Sequence, residues 1–379
     1  MKFELGYTLS KDAISAKGKV KSFISTFEPY FAQKLEDEKQ YAISHHNSDS
    51  FDTLDFFNQV AIRGGKRIRA SLAYYTYKML GGKNDNVVLE LAQAIEMIHA
   101  YLLIIDDFTD KSQTRRGGPT GHVLAETYFK RASFVRVDPY HHGAAMAITA
   151  ALLQLHRAEE VILGMDTPAE IRIKIAQNLN SKIATTAYGQ ITDAFNSLKE
   201  QVNEADVLDM LEWKTGVYTF ENPIHSGALL SGAGDAELAL LTEYAIPTGI
   251  AFQIHDDVIG MFGDSKETGK SDKDDLMEGK MTLLIQHALL CATRSQVATI
   301  NTYLGKKDLT DQEHAIVQQV LIDCGSFEYS KQMAKRLVEK GKKALDKAPK
   351  NWNTAGVDFL RVIADYVIQR SSYIQKYYL

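Results

Sequence analysis

The sequence predicts an all-α fold, and three observations lead to it. Only seven prolines occur in 379 residues. Apolar residues recur at steps of three and four over long stretches, and alternating strand patterns are scarce. The 45% hydrophobic content is enough for a large core. No linker or internal repeat divides the chain, so residues 1–379 are predicted to form a single domain of about ten to fifteen helices. Residues 1–50 are expected to be an N-terminal helix followed by a loop.

Turn-rich segments separate the predicted helices. They are GGKND at 81–85, TRRGGPTG at 114–121, VDPYHHG at 137–143, GMDTPAE at 164–170 and FGDSKETGKSDKDD at 262–275. The clearest helix lies between the first two of them, because its apolar residues share one face. They are Leu91, Ile95, Ile98, Leu102 and Ile105.

Composition excludes several classes of function. The net charge is -5, without a basic stripe, which argues against a nucleic-acid partner. No uninterrupted apolar run reaches the length of a membrane span, and the first twenty residues lack the pattern of a signal peptide. A cytoplasmic location is therefore predicted. Cys291 and Cys324 form no CxxC pair, so neither a disulfide framework nor a cysteine zinc site is expected.

The first acidic cluster ends the clearest helix, in IIDDFTD. Asp106 and Asp110 share a face, and Asp107 lies three residues before Asp110. Three carboxylates at a helix C-terminus oppose the helix dipole, whereas a hard divalent cation would remove their repulsion. The cluster is therefore a candidate magnesium site that is completed by phosphate oxygens, although a single DDxxD pattern also occurs on solvated helix faces.

A second apolar helical segment leads to Asp256 and Asp257 in IHDDVIG, with Gln253 one turn earlier. Two helices ending in aspartates could share metals across a bundle. The second cluster departs from the first at Gly260, where an acid would complete a DDxxD pattern. Asp264 stands eight residues after Asp256 and is a candidate replacement.

Cationic residues accompany both acidic clusters and indicate sites for two polyanions, one with metals and one without. They are Arg63, Lys66, Arg67 and Arg69 in RGGKRIR, Arg115 and Arg116 in TRRGG, and the more distant Lys214, Lys270 and Lys280. Neighbouring glycines would let backbone amides approach phosphate oxygens. The GGKR segment is not a nucleotide P-loop, because the upstream glycine and the following Ser/Thr are missing. The pairs His45-His46 and His141-His142 are expected to be loop residues without metal.

The motif order GGKR, DDxxD, RRG, KT, FQxxDD, GK and GK resembles that of the trans-isoprenyl diphosphate synthases, from about Gly64 to Lys280. The resemblance implies a helical bundle around a deep central cavity, the isoprenoid synthase fold, and a homodimer. It also implies head-to-tail condensation of an allylic diphosphate with isopentenyl diphosphate. Magnesium, three ions per active site, would bind with the allylic diphosphate, and released diphosphate would accept the proton.

Site residues follow from the same resemblance. It implies that Asp106, Asp110 and Asp256 are the principal magnesium ligands, that Asp107 and Asp257 support them, and that Lys214 acts with them in catalysis. The positions that resemble the allylic diphosphate site are Arg115, Lys214, Thr215, Gln253 and Lys270. Those that resemble the metal-free isopentenyl diphosphate site are Lys66, Arg69, His99 and Arg116, and Lys280 matches a further diphosphate-side lysine.

Product length is predicted from the residues before Asp106. Leu102 lies one turn below it on the same face, and Tyr101 lies roughly 7.5 Å below, partly rotated away. In the resembling family, an aromatic residue five before the first aspartate goes with short products, commonly geranylgeranyl diphosphate. Tyr101 is therefore a candidate floor of the cavity, although it could instead pack between helices.

Three alternatives stay open at this stage. The product could be farnesyl diphosphate. The spacing DDxxGxxxD echoes class I terpene cyclases, but a cyclase has no second diphosphate for GGKR, RRG and His99 to bind. A non-catalytic subunit of a heteromeric synthase would keep the fold and lose acidic motifs, whereas the first motif is complete here.

Overall fold

The computed structural model describes residues 11–46, 48–131, 136–199, 201–263 and 271–369, without the side chains of 11–14, 16, 48–51 and 53. The described ranges contain sixteen α-helices, and the predicted all-α class is confirmed. Up to the middle of the chain these are α1 (Lys11–His45), α2 (Ser48–Ile62), α3 (Ile68–Met79), α4 (Asp85–Thr109), α5 (Gly121–Arg131), α6 (Pro139–Gly164), α7 (Ala169–Asn196) and α8 (Glu204–Leu211). They continue as α9 (Asn222–Leu230), α10 (Asp235–Phe262), α11 (Asp274–Glu278), α12 (Leu283–Cys291), α13 (Arg294–Tyr303), α14 (Asp311–Asp323), α15 (Ser326–Ala344) and α16 (Thr354–Gln369).

Three further elements interrupt this pattern. A π-helix spans Glu212–Glu221, and a 3₁₀-helix spans Leu345–Lys347. A minimal antiparallel hairpin pairs β1 (Thr114–Arg115) with β2 (Gly118–Pro119), directly after α4. The hairpin and the π-helix each carry predicted site residues.

The helices divide between two compact units. Of the described residues, those within Lys19–Tyr74 and Lys83–Ala176 form the N-terminal unit, and those within Met1–Gly18, Tyr75–Gly82 and Gln177–Leu379 form the C-terminal unit. The single domain over 1–379 and its deep central cavity stay predictions from the sequence.

The core of the N-terminal unit is built on α1 and α4. Phe23, Phe27 and Phe31 stack along one face of α1 with ring centroids 5.2 and 5.3 Å apart, and all three are buried. Helix α4 starts at Asn84, whose side chain accepts hydrogen bonds from the first-turn amides. It is the one described helix long and apolar enough to cross a membrane, but 67% of that apolar window is buried inside the fold, as expected of a core helix.

The C-terminal unit is organised around α10, which packs on α15 and on the π-helix. A Cβ at Gly341 would lie 2.5 Å from Thr248 Oγ1, so a side chain here would prevent the close approach of α15 to α10. The buried Tyr244 hydroxyl donates to the Leu360 carbonyl at 2.6 Å and connects α10 to α16. The result is a long central helix that is held on several sides.

Two sequence predictions about element boundaries are wrong. Asp256 and Asp257 were expected at a helix end, but α10 continues to Phe262, because Met261 and Phe262 are still buried in the core. The histidine pair 141–142 was expected in a loop but lies in the first turn of α6. The Asp138 side chain caps that helix, and Pro139 occupies its first turn, so the DP dipeptide starts a helix rather than a turn. His45 is likewise the last residue of α1.

Candidate active site

The acidic cluster of the N-terminal unit divides into two kinds of carboxylate. Asp106 and Asp110 are half-buried, at the end of α4, and remain partly open to solvent. Asp107, on the inner side of the same turn, has a side chain that is 0% exposed. Because a metal ion with its phosphate ligands needs accessible oxygens, Asp106 and Asp110 fit that role better than Asp107.

Arg115 connects the hairpin to this acidic turn. Its Nε donates to Asp107 Oδ1 at 2.5 Å, and one terminal nitrogen donates to Asp106 Oδ2 at 3.1 Å. Burial disfavours the guanidinium charge, but the carboxylates of Asp107 and Asp106 outweigh it and raise the pKa of Arg115. The arginine is therefore fixed as a cation beside Asp106, in a position to meet an anion that binds there.

The next residue, Arg116, contacts His99 and not the acidic turn. Arg116 has a positive φ of 53°, which is rare for a non-glycine residue. Its guanidinium lies 3.5 Å from His99 Nε2, and Arg69 lies 3.2 Å from the same nitrogen. Guanidinium nitrogens only donate, so His99 Nε2 accepts and the proton of the neutral ring is on Nδ1.

His99, Arg69 and Arg116 form a cluster with two positive charges, called the His99 group below. Burial and the neighbouring Arg69 and Arg116 hold the pKa of His99 well below its ordinary value, so the imidazole is neutral. Burial also lowers the pKa of Arg116 to about 10, with repulsion from Arg67, Arg115 and Arg69 adding to it. A bound polyanion would relieve this repulsion, which makes the group a candidate anion site.

Arg67 has a structural role that the sequence did not reveal. It contacts Glu28 on α1 and Glu96 on α4 at 2.6 and 2.8 Å, and it donates to the Ala61 carbonyl. The side chains of Arg67 and Glu96 are each 2% exposed. Of the four cations in RGGKRIR, Arg67 is thus committed to the core, and Arg63 donates to carbonyls of the hairpin, at Pro119 and Arg115. Lys66 is exposed and Arg69 is half-buried, so both are accessible to a ligand.

We expect Glu96→Gln to lower the free energy of unfolding by about 3 kcal/mol, because breaking one side of a buried pair leaves an uncompensated charge. Urea unfolding followed by circular dichroism measures the change. Glu160→Gln is the matched control, since Glu160 is 65% exposed and pairs with Arg157 at the surface. Equal effects of the two substitutions would contradict the structural role of the Arg67–Glu96 pair.

The C-terminal unit places Lys214 and Thr215 on the π-helix. Lys214 Nζ donates to Asp193 Oδ2 of α7 at 2.6 Å. Thr215 Oγ1 donates to Gln253 Oε1 at 2.9 Å, and Gln253 Nε2 donates to Asp257 Oδ1 at 2.8 Å. A hydrogen-bonded chain therefore connects the π-helix to the second acidic cluster. The sequence does not predict Asp193, because its local pattern resembles that of other acids on helices, whereas the structure buries it.

Glycines allow neighbouring helices to approach the π-helix closely. A Cβ at Gly189 of α7 would lie 2.3 Å from the Lys214 amide nitrogen, and one at Gly249 of α10 would lie 2.6 Å from Gly216 Cα. Any side chain at either position would displace backbone. Widened π-type turns are frequent at functional sites, and here the turn carries both predicted site residues, Lys214 and Thr215.

The second acidic cluster repeats the division seen in the first. Asp256 is exposed and Asp257 is buried. Burial raises the pKa of Asp257 well above its ordinary value, and the carboxylate of Asp275 adds to the shift. Lys280 Nζ contacts Glu278 at 2.8 Å and Asp275 at 3.3 Å. Lys270 and Asp264 lie outside the described residues, so their assignments stay predictions from the sequence.

The donor set fits magnesium that is held largely by a substrate. Among the residues in the described ranges, no three His, Cys, Asp or Glu side chains come together as a metal site. Magnesium commonly binds through one or two carboxylates and completes its shell with water and phosphate oxygens. The accessible Asp106, Asp110 and Asp256 are carboxylates of that kind, and cationic side chains for a diphosphate accompany them in each unit.

Comparison with known proteins places these residues in a family. The chain matches the Polyprenyl synthetase family model over residues 53–321. It is 31% identical over 307 residues to the geranylgeranyl diphosphate synthase of Methanosarcina mazei, covering 81% of this chain and 86% of that protein. Identity to the geranylfarnesyl diphosphate synthase of Aeropyrum pernix is 30% over 308 residues, covering 81% of this chain and 91% of that protein.

The fold has a similarly extensive match. A crystal structure of geranylgeranyl pyrophosphate synthase from Corynebacterium glutamicum, complexed with isoprenyl diphosphate and magnesium, superposes with a TM-score of 0.83 at 27% identity. It covers 96% of this chain and 99% of that one. The resemblance drawn from the motifs is confirmed, and the isoprenoid synthase fold with it. Since the family match includes both acidic clusters and the cationic residues around them, the chain belongs to the polyprenyl synthetase family and is a trans-prenyltransferase.

Proposed function

We propose that the protein condenses an allylic diphosphate head-to-tail with isopentenyl diphosphate and that its main product is geranylgeranyl diphosphate. The observation that carries the proposal is the divergence of two consecutive arginines. Arg115 contacts the carboxylates of Asp106 and Asp107, whereas Arg116 contacts His99. One hairpin thus serves two anion sites, one with carboxylates for metal and one without. A condensing enzyme needs both sites, and a terpene cyclase needs only the first.

The allylic diphosphate is assigned to the carboxylate-bearing residues. Asp106, Asp110 and Asp256 would hold magnesium, three ions per active site, and Lys214, Thr215 and Gln253 would contact the diphosphate. Asp107 and Asp257 have supporting positions, since Asp107 fixes Arg115 and Asp257 fixes Gln253. Lys214 would exchange its partner Asp193 for the diphosphate. Lys270 and Lys280 complete the proposed set.

Isopentenyl diphosphate is assigned to Lys66, Arg69, His99 and Arg116. Neutral His99 accepts from Arg69 and Arg116 and therefore fixes the direction of both guanidiniums. Glu96, the carboxylate that acts on Arg116, is buried and pairs with Arg67. Binding at this site should depend on cationic side chains alone.

Catalysis in this arrangement is mainly the stabilisation of a leaving group. Magnesium, when bound, supplies positive charge to the allylic diphosphate as its C–O bond breaks. Arg115 and Lys214 donate to the developing negative charge on the same diphosphate. The His99 group holds the second substrate while its double bond attacks the allylic carbon. No side-chain base is assigned, and the released diphosphate is the proposed acceptor of the proton.

Tyr101→Ala is expected to lengthen the product beyond twenty carbons. Tyr101 is half-buried on α4, five residues before Asp106, and burial raises the pKa of its phenol. If its ring closes the path of the growing chain, removing it opens that path, and Leu102→Ala should have a smaller effect of the same kind. Chromatography of the dephosphorylated products measures chain length, with Tyr140→Ala on the exposed face of α6 as the control. An unchanged product chain length would show that Tyr101 does not form the floor of the cavity.

We propose a homodimer as the active form. On α7 of the C-terminal unit, Tyr188, Ile191 and Phe195 lie at steps of three and four and are 68%, 53% and 60% exposed. A stripe of three large apolar side chains on one helix face is typical of a covered interface. Ile191→Asp is expected to shift the protein from dimer to monomer in light scattering after gel filtration. A wild-type monomer would contradict the proposal.

The cytoplasmic location stays a prediction from the sequence.

The experiment that tests the function uses the purified protein, magnesium, isopentenyl diphosphate and each of the C5, C10 and C15 allylic diphosphates. We expect longer diphosphates, with the C20 compound dominant. A C15 end product would favour farnesyl diphosphate. Cyclic hydrocarbon from an allylic substrate alone would replace the proposal with a cyclase, and no turnover would favour a non-catalytic subunit.

A further inference from the structure

A side chain from another helix occupies the space beside Gly260 in the second acidic cluster. Gly260 lies on α10, one turn after Asp256. A Cβ built there would lie 2.6 Å from Asp275 Oδ2, a distance that side-chain carbons do not adopt. Asp275 belongs to the short helix α11, so its carboxylate occupies the place that a side chain at position 260 would need.

Lys280 contacts two carboxylates of this region, and Asp275 is the more distant of the two. The Lys280 ammonium is closer to Glu278, at 2.8 Å, than to Asp275, at 3.3 Å. Lys280 therefore keeps one carboxylate without Asp275. The two contacts of Asp275 are to different oxygens, since Oδ1 faces Lys280 and Oδ2 faces Gly260. The contact with Lys280 thus orients the Asp275 carboxylate toward Gly260 on α10.

We propose that Asp275 supplies the carboxylate that the second acidic cluster lacks at Gly260, and that Gly260 is glycine because this carboxylate must fit against α10. In this arrangement Asp275 would support the binding of magnesium together with the allylic diphosphate. The inference rests on the proposed function. It differs from the sequence prediction, in which Asp264 is the candidate replacement acid.

The structure offers a substitution that should move this carboxylate without unfolding α10. In Gly260→Ala the new methyl group meets only the end of the Asp275 side chain, which can rotate away. Alanine is also the better helix former. The thermal unfolding midpoint should therefore stay at or above that of the wild type, while Asp275 leaves its position.

Calorimetric titration with geranyl S-thiolodiphosphate, a stable allylic analogue, measures the consequence at several magnesium concentrations. Residues that support a metal site typically contribute 10- to 100-fold in metal affinity, so we expect Asp275→Asn to need about tenfold more magnesium for half-maximal binding. Gly260→Ala should show a similar shift. Asp274→Asn, which changes the neighbouring acid of α11, is the matched control and should bind as the wild type does.

The double variant decides whether the two residues act together. If Gly260→Ala acts by displacing Asp275, then Gly260→Ala/Asp275→Asn should match Asp275→Asn alone, whereas independent effects would multiply. Wild-type magnesium dependence in Asp275→Asn, or multiplied effects in the double variant, would overturn the inference and leave the proposed function standing. A wild-type protein that binds the analogue equally well without magnesium would contradict the proposed function as well.

Discussion

Asp106→Asn is expected to lower kcat for condensation on the order of 100- to 1,000-fold, the range for losing one main contact to developing charge. Asp106 is the accessible member of the adjacent pair at the end of α4, whereas Asp107 is buried beneath Arg115. Asparagine keeps the size of the side chain and an oxygen for Arg115 but loses the charge that attracts magnesium. Steady-state kinetics at saturating isopentenyl diphosphate measures the loss, and raising magnesium should restore part of the rate.

Asp85→Asn provides the matched control for this prediction. It makes the same change of charge in the first turn of the same helix, about six turns away from Asp106. We expect its kcat to equal that of the wild type. A similar loss in both variants would show that α4 tolerates no change of charge, and near-normal activity in Asp106→Asn would remove it from the metal site.

Arg116→Gln should raise KM for isopentenyl diphosphate and leave KM for the allylic substrate nearly unchanged. A hydrogen bond to a charged group contributes about 1.5 to 3 kcal/mol, which corresponds to roughly a 10- to 150-fold change in affinity. The separation between substrates is expected because Arg116 contacts His99 rather than the acidic turn. Initial rates with each substrate varied in turn give both constants.

Arg115→Gln is the informative comparison, since it changes the adjacent residue in the same way. It removes the guanidinium that pairs with Asp107, whose side chain is 0% exposed. We therefore expect a higher KM for the allylic diphosphate and a lower free energy of unfolding, because a buried carboxylate loses its partner. If both arginine variants weakened the same substrate, the assignment of two anion sites to one hairpin would be wrong.

The sequence predicted the family and the position of the first acidic cluster, but not the contacts among the surrounding residues. Helical periodicity and the aspartate spacing located Asp106 and Asp110 correctly at the end of α4, since both signals are local. The sequence could not predict which cationic residues of RGGKRIR have structural partners and which face a ligand. Arg67 and Arg69 are two residues apart and chemically alike, yet Arg67 is buried between Glu28 and Glu96. Those partners come from α1 and α4, which no local pattern connects to position 67.

The C-terminal unit shows the same limit. The KT pair was recognised, but its π-helix was not, because the widened turn depends on contacts with Gly189 and Gly249 from other helices. Gly260 breaks the acidic pattern, and the sequence alone offers Asp264 as the replacement carboxylate. In the structure, the carboxylate against Gly260 belongs to Asp275, fifteen residues later on another helix. Tertiary contacts of this kind are absent from any sequence window.

The central claim is that one chain binds two diphosphates by different means, one through magnesium and one through cationic side chains alone. Calorimetric titration with and without EDTA tests it directly. The account predicts that isopentenyl diphosphate binds one per chain in EDTA, that geranyl S-thiolodiphosphate binds only with magnesium, and that neither displaces the other. Loss of isopentenyl diphosphate binding in EDTA, or competition between the two ligands for one site, would contradict it.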